Sequence, residues 1–129
     1  MQGGANKIIY KELSYKIIGI LFDVFNEIGP GYKEKHYQKA IEVEFRKRGI
    51  NFISQCPYKI RYKGDIIGSY YMDFLVEGKI VLEIKKGDFL SRKNINQING
   101  YLRATGLKLG ILVNFTSDGI KYKRILNIK

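Results

Sequence analysis

Tyr70-Tyr71-Met72-Asp73-Phe74-Leu75-Val76-Glu77-Gly78-Lys79-Ile80-Val81-Leu82-Glu83-Ile84-Lys85 is the stretch that decides how this chain folds. Two runs of apolar, aromatic and β-branched residues flank Glu77-Gly78-Lys79, a tight-turn signal, and so predict an antiparallel hairpin. The second run, Ile80 to Lys85, is short and mostly apolar, which suits a central strand. Two carboxylates interrupt the runs. Asp73 and Glu83 are equidistant in sequence from Gly78, so simple hairpin pairing sets them side by side. Lys85, two residues after Glu83, points to the same face. Burying an unpartnered carboxylate costs on the order of several kcal/mol. Two adjacent carboxylates also repel unless something positive lies between them. Lys85 supplies one charge; a divalent cation would satisfy both acids. A buried Asp–Lys–Glu network with a structural role only is the alternative.

Outward from this hairpin the pattern is regular. Upstream, Phe52–Tyr62 predicts a strand with Tyr58, Ile60 and Tyr62 on one face. Lys63-Gly64-Asp65 turns it into a second strand over Ile66–Val76. Before these, Leu13, Ile17, Ile20, Leu21, Val24 and Ile28 recur at helical spacing and predict a helix over Glu12–Ile28. Gly29-Pro30-Gly31 stops it. A second helix is expected over Lys33–Arg48, with Tyr37, Ala40, Ile41, Glu44 and Phe45 on one side and Gly49 as its left-handed cap. Downstream, Lys86-Gly87-Asp88 leaves the central strand. Ser91 caps a third helix that runs to Thr105 and closes at Gly106, with Ile95, Ile98 and Leu102 as its buried stripe. Leu107–Phe115 predicts a buried strand. Ile120–Asn127, laced with lysine, predicts an edge strand. The order is α-α-β-β-β-α-β-β, an α/β sandwich around a mixed sheet flanked by helices, in a single domain spanning 1–129 whose first ten residues are expected to be a loose tail.

Composition narrows the partners. Lysine and arginine number 23 against 12 acids, a formal net charge of +11, and the pI is about 9.7. That charge on so small a surface attracts polyanions, nucleic acid above all. A lysine-rich surface that binds nothing would look the same in composition alone. Cys56 is the only cysteine, so an intramolecular disulfide and a cysteine-rich zinc site are both excluded within one chain. A reducing, cytoplasmic setting is expected. No apolar run approaches a membrane span, and the first six residues lack the apolar core of a leader.

Further polar residues are candidates by position. Glu34 opens the second helix, where a carboxylate also favours the helix dipole. Gln97 and Tyr101, four apart, share a face of the third helix with Asn94 on the same side; this face is expected opposite the Ile95–Ile98–Leu102 stripe. His36 points to a different side from Glu34, and Cys56 is expected to be a small core residue. Gly29-Pro30-Gly31 lacks the lysine and hydroxyl of a phosphate-binding loop.

Asp73 followed by Glu83-Ile84-Lys85 resembles the core of the PD-(D/E)xK nuclease superfamily, with Met72 where the motif has proline. Gln97-Ile98-Asn99-Gly100-Tyr101 is similar to the QxxxY element of its RecB-like branch. Gly31-Tyr32-Lys33-Glu34-Lys35-His36-Tyr37 resembles the hallmark of its GxxExxY family. The resemblance covers about Leu13 to Ile125. It implies a restriction-endonuclease-like fold and a metal-dependent nuclease acting on nucleic acid, most of all DNA. It implies Asp73, Glu83, the carbonyl of Ile84 and Glu34 as ligands of magnesium, with manganese able to substitute. Lys85 would orient or help deprotonate the attacking water, and Gln97 and Tyr101 would steady the substrate. A nucleic-acid-binding module of the same fold without turnover is the alternative. A branched-DNA resolvase acting as a homodimer is one form that the enzyme could take.

Overall fold

The structure, a computed structural model, describes residues 8–127. Helices α1 (Lys11–Ile28) and α2 (Glu34–Lys47) come first, then strands β1 (Phe52–Tyr62), β2 (Asp65–Val76) and β3 (Ile80–Lys86). Helix α3 (Arg92–Thr105) crosses over to β4 (Leu109–Phe115), and β5 (Ile120–Leu126) closes the chain. The five strands lie in sequence order in one sheet. Among the described strands only β3 and β4 run parallel, because α3 carries the chain back along the sheet as a crossover must. This is the expected order and the restriction-endonuclease-like architecture, with β3 central and β5 at an edge.

Two apolar layers sandwich the sheet. On one face, Ile17, Ile20, Leu21 and Val24 of α1 and Tyr37, Ile41 and Phe45 of α2 meet Phe74, Leu82, Ile84, Ile111 and Val113. On the other, Ile98, Tyr101 and Leu102 of α3 meet Met72, Val81, Leu112 and Ile125. Helix α3 seats on Gly110, where a built Cβ would overlap Ile98 Cγ2 and come within 3.1 Å of Val81 Cγ1. Ser91 caps α3 by accepting from the amides of Lys93 and Asn94, and Gly106 closes it in the left-handed region. Gly49 (φ 69°) ends α2 in the same way.

Residues 1–7 of the expected tail lie outside the described residues. Ile9 and Tyr10, the apolar end of that segment, pack against the α1–α2 layer. Among the described residues, no helix is long and apolar enough to cross a membrane.

The β2–β3 register is the expected one, with Phe74 opposite Leu82 and Val76 opposite Ile80. Pairing then stops. Strand β3 continues beside β4 as far as Lys86 opposite Phe115, while β2 departs from it beyond Phe74. At the same level of β1, Gln55 takes a left-handed conformation (φ 53°). The side-chain alternation inverts there. Phe52, Phe74 and Val76 belong to the α1–α2 layer, whereas Cys56, Tyr58, Tyr70 and Met72 belong to the α3 layer. The distal β1–β2 hairpin is therefore a two-stranded ribbon that leans on α3, through Tyr58 Oη donating to the Gly100 carbonyl and Tyr70 Oη to that of Gln97.

Candidate active site in the fork between two strands

Asp73 and Glu83 sit where β2 and β3 part. Their side chains replace the missing ladder bonds. The amide of Asp73 donates to Glu83 Oε1 and the amide of Ile84 donates to Asp73 Oδ2, each at 2.7 Å. In an extended strand the N–H and C=O of one residue point to the same edge, so the Ile84 carbonyl also faces the fork. Both acids are buried, at 9% and 4% exposure.

Burial raises the proton affinity of both. The Asp73 carboxyl is pushed up chiefly by desolvation, opposed by the Ile84 amide and by Lys85. Glu83 is pushed up by desolvation and then by the charge of Asp73, to about 8. Lys85 is 31% exposed at its side chain and lies 3.9 Å from Glu83 Oε2. That contact offsets part of the repulsion without cancelling it.

Helix α2 supplies the rest. Its N-terminus, following Gly31 (φ 95°), aims Glu34 at the end of β3, where Glu34 Oε2 accepts from the amide of Lys86 at 3.0 Å. Its charge is felt at Asp73. Among the described residues no set of three His, Cys, Asp or Glu side chains is placed to hold a metal ion, so Glu34 does not close on the Asp73–Glu83 pair. Gln38, one turn after Glu34, does reach it: Gln38 Nε2 donates to Asp73 Oδ1 at 2.7 Å. Gln55 in turn donates to Gln38 Oε1 at 3.2 Å. Sequence reasoning missed Gln38. The available signal was its spacing of four from Glu34, which puts both on one helix face.

The two α3 candidates are placed differently from the expectation. Tyr101 is 4% exposed and lies in the apolar layer with Ile98 and Leu102, not on the opposite face. Its spacing of three from Ile98 already puts it on that stripe. Its hydroxyl contacts Cys56 Sγ at 3.7 Å, and burial pushes its pKa up. Gln97 is half-buried, and its carbonyl accepts from Tyr70 Oη at 3.0 Å. Tyr70 is raised to about 12, by burial first and then by its neighbours Tyr58 and Glu83. Tyr70 thus ties the β1–β2 ribbon to α3 at Gln97, a role that no sequence pattern announced. His36 serves α2, its Nδ1 accepting from the amide of Lys33 at 3.3 Å. Among the basic residues at the end of α2, Arg48 is paired with Asp23 and Glu44, and Arg46 with Glu42.

The fork thus holds a paired Asp and Glu, with a lysine two residues on. A family model described as the PD-(D/E)XK nuclease superfamily matches residues 11–125. The chain belongs to the PD-(D/E)XK nuclease superfamily. Members are nucleases that generally use divalent metal ions, and their substrates are nucleic acids. Among solved structures, the crystal structure of a protein named SSO0001 is similar at 22% identity and a TM-score of 0.51. The match covers 93% of this chain and 58% of that one. At that identity the likeness speaks for the fold alone, and this chain spans little more than half of the other's length. No curated protein matches. The matched span includes Asp73, Glu83 and Lys85, the residues that the fork brings together.

Proposed function

We propose that this chain is a magnesium-dependent nuclease that hydrolyses phosphodiester bonds in DNA. The observation that carries the proposal is the Asp73–Glu83 pair in the fork. Two adjacent buried carboxylates, both raised by desolvation and Glu83 further by the charge of Asp73, form a site that a divalent cation relieves. The donors are all oxygen, which suits magnesium, with manganese a working substitute. Asp73, Glu83 and the Ile84 carbonyl would hold the ion, with Glu34 linked through its water shell. When bound, the ion supplies a Lewis-acid charge at the phosphate and a more acidic water.

The chain's own residues do the remainder. Lys85, half in solvent beside Glu83, orients the attacking water and offsets phosphate charge. Gln38 holds the Asp73 carboxylate by one oxygen, so the side chain cannot rotate away from the fork. Tyr101 anchors α3, and Gln97 stands beside the substrate on the α3 side. The spacing Gly31-x-x-Glu34-x-x-Tyr37 supports assignment to the GxxExxY branch, and Gln97-x-x-x-Tyr101 supports kinship with RecB-like members.

The test is cleavage of linear, nicked, flapped and branched DNA, with magnesium, with manganese and with chelator. Metal-dependent cleavage that disappears in Asp73→Ala and Glu83→Ala is the expected result. Cleavage undiminished by either substitution refutes the proposal.

One observation favours a second reading, a nucleic-acid-binding module without turnover. Each carboxylate already has protein partners, Gln38 and the Ile84 amide for Asp73, and the Asp73 amide and Lys85 for Glu83. Salt-dependent DNA binding driven by the net charge of +11, with no heat of magnesium binding by calorimetry, distinguishes it.

A further inference from the structure

The loop between β3 and α3 presents one side chain that neither the fold nor the proposed reaction uses. Phe89 is 84% exposed, more than any other large apolar residue described. Exposed apolar side chains are common where loops are loose. This loop is fastened at every residue. The Gly87 amide donates to the Phe115 carbonyl at 3.1 Å. Asp88 Oδ1 accepts from both the amide and the hydroxyl of Ser117, and the Asp88 carbonyl accepts from Lys121 Nζ at 2.7 Å.

The strongest fastening is Asn114. It is 2% exposed in the otherwise apolar strand Leu109–Phe115. Its amide donates to the carbonyls of Gly87 (3.1 Å) and Phe89 (2.7 Å), while its Oδ1 is buried with no partner among the described residues. An unpaired buried acceptor is costly. A core strand thus carries a polar side chain, at a cost in stability, to hold the backbone of an exposed phenylalanine. Leu90 turns inward onto the α3 layer, so Phe89 must point out.

The loop's surroundings say what Phe89 meets. Asn114 is the β4 partner of Lys85, which ties the loop to the candidate site. The first two helical residues of α3 are Arg92 and Lys93, and its first turn has no acid. Cations at a helix N-terminus oppose the helix dipole, an arrangement that a bound phosphate would reverse. Lys121 Nζ lies 5.4 Å from the Phe89 ring centroid. An exposed aromatic ring on a fastened backbone, with Lys121 against it and Arg92 and Lys93 at the start of the next helix, fits a nucleobase with its neighbouring phosphates, because every base has a π-face to stack.

We infer that Phe89 is a stacking platform for an unpaired nucleobase beside the scissile phosphate, which directs the enzyme to single-stranded or unpaired segments. A base inside a duplex offers no free face to it. The inference takes its location from the nuclease reading but is measured separately.

The probe is a single-stranded oligonucleotide carrying 2-aminopurine, whose fluorescence falls on stacking, titrated in chelator against the same sequence as a duplex. Wild type should quench the single strand. Phe89→Ala should abolish the quench and weaken single-strand binding about tenfold or more. Phe89→Trp should keep both, and duplex affinity should stay within about twofold throughout. Phe89 is on the surface, so these variants fold. Phe89→Ala quenching like wild type, Phe89→Leu serving as well as Phe89→Trp, or equal losses on single strand and duplex would each overturn the inference. A parallel cleavage assay separates the two ideas. A quench that needs Phe89 in a protein that cuts nothing keeps the platform and ends the nuclease reading. Cleavage that needs Asp73 and Glu83, yet keeps its single-strand preference in Phe89→Ala, ends the platform alone.

Discussion

Asp73 and Glu83 bridge the gap where β2 and β3 separate: the Asp73 amide donates to Glu83 Oε1, and Asp73 Oδ2 accepts from the amide next to Glu83. The pair therefore has two jobs in conflict. As backbone acceptors the acids hold the fork, and as neighbouring buried charges they strain it.

That conflict gives stability a definite pH dependence. Glu83 has a folded pKa raised to about 8 from an ordinary 4.5, and Asp73 is raised too. A raised carboxylate binds its proton more tightly in the folded state, so its contribution is present at low pH. It is lost as pH rises from about 4.5 through about 8. In chelator the melting temperature should fall between pH 5 and pH 8, reflecting a loss of stability on the order of 2 kcal/mol. Magnesium should flatten that fall, because a bound cation favours the ionised forms. Glu83→Gln should flatten it in chelator as well. Thermal melts across this pH range decide it, and a metal-free protein that gains stability from pH 5 to 8 contradicts the account.

Gln38 should matter to the metal more than to the fold. It donates to Asp73 Oδ1 from a half-buried position on α2. Gln38→Ala should leave the melting temperature within about 2 °C, since little buried area is lost. It should weaken magnesium binding by about tenfold, the scale expected when a ligand loses its supporting hydrogen bond. Calorimetric titration of both proteins provides the check; an unchanged magnesium affinity removes Gln38 from the site.

The seat of α3 is equally exposed to test. A methyl group at Gly110 would overlap Ile98, and both lie in the core beneath α3. Gly110→Ala should destabilise the protein by about 2 kcal/mol through overpacking. Gly110→Ala combined with Ile98→Leu should recover part of that loss, since leucine lacks the Cγ2 branch that the new methyl group would meet. Urea unfolding of the two single variants and the double variant measures the coupling; strictly additive losses would place the strain elsewhere.

How much of this was readable from residues alone depends on the range of each interaction. The order of elements was readable, because helical spacing, Gly49, Ser91 and Gly106 act locally. The neighbourhood of Asp73 and Glu83 was readable because both are tied to the turn at Gly78 through one hairpin. Gln38 was legible only as a neighbour of Glu34 on one helix face; that it meets Asp73 across 35 positions is recorded by no periodicity. The inverted alternation was hidden as well. It rests on Gln55 adopting a left-handed conformation, which glutamine seldom announces. Tyr101 was misplaced because a tyrosine four residues from a glutamine looks polar, while the same tyrosine three residues from Ile98 is core.

The fork also leaves a trace that would outlast the chemistry. A sheet has no reason of its own to separate two neighbouring strands in mid-course; here two acids keep them apart by taking the amide bonds that the ladder would have used. A descendant with apolar residues at both positions would be free to zip β2 to β3 toward Tyr71 and Lys85. Lineages that abandoned catalysis should therefore be recognisable by a continuous strand pair, a fossil record kept in backbone geometry rather than in the acids themselves.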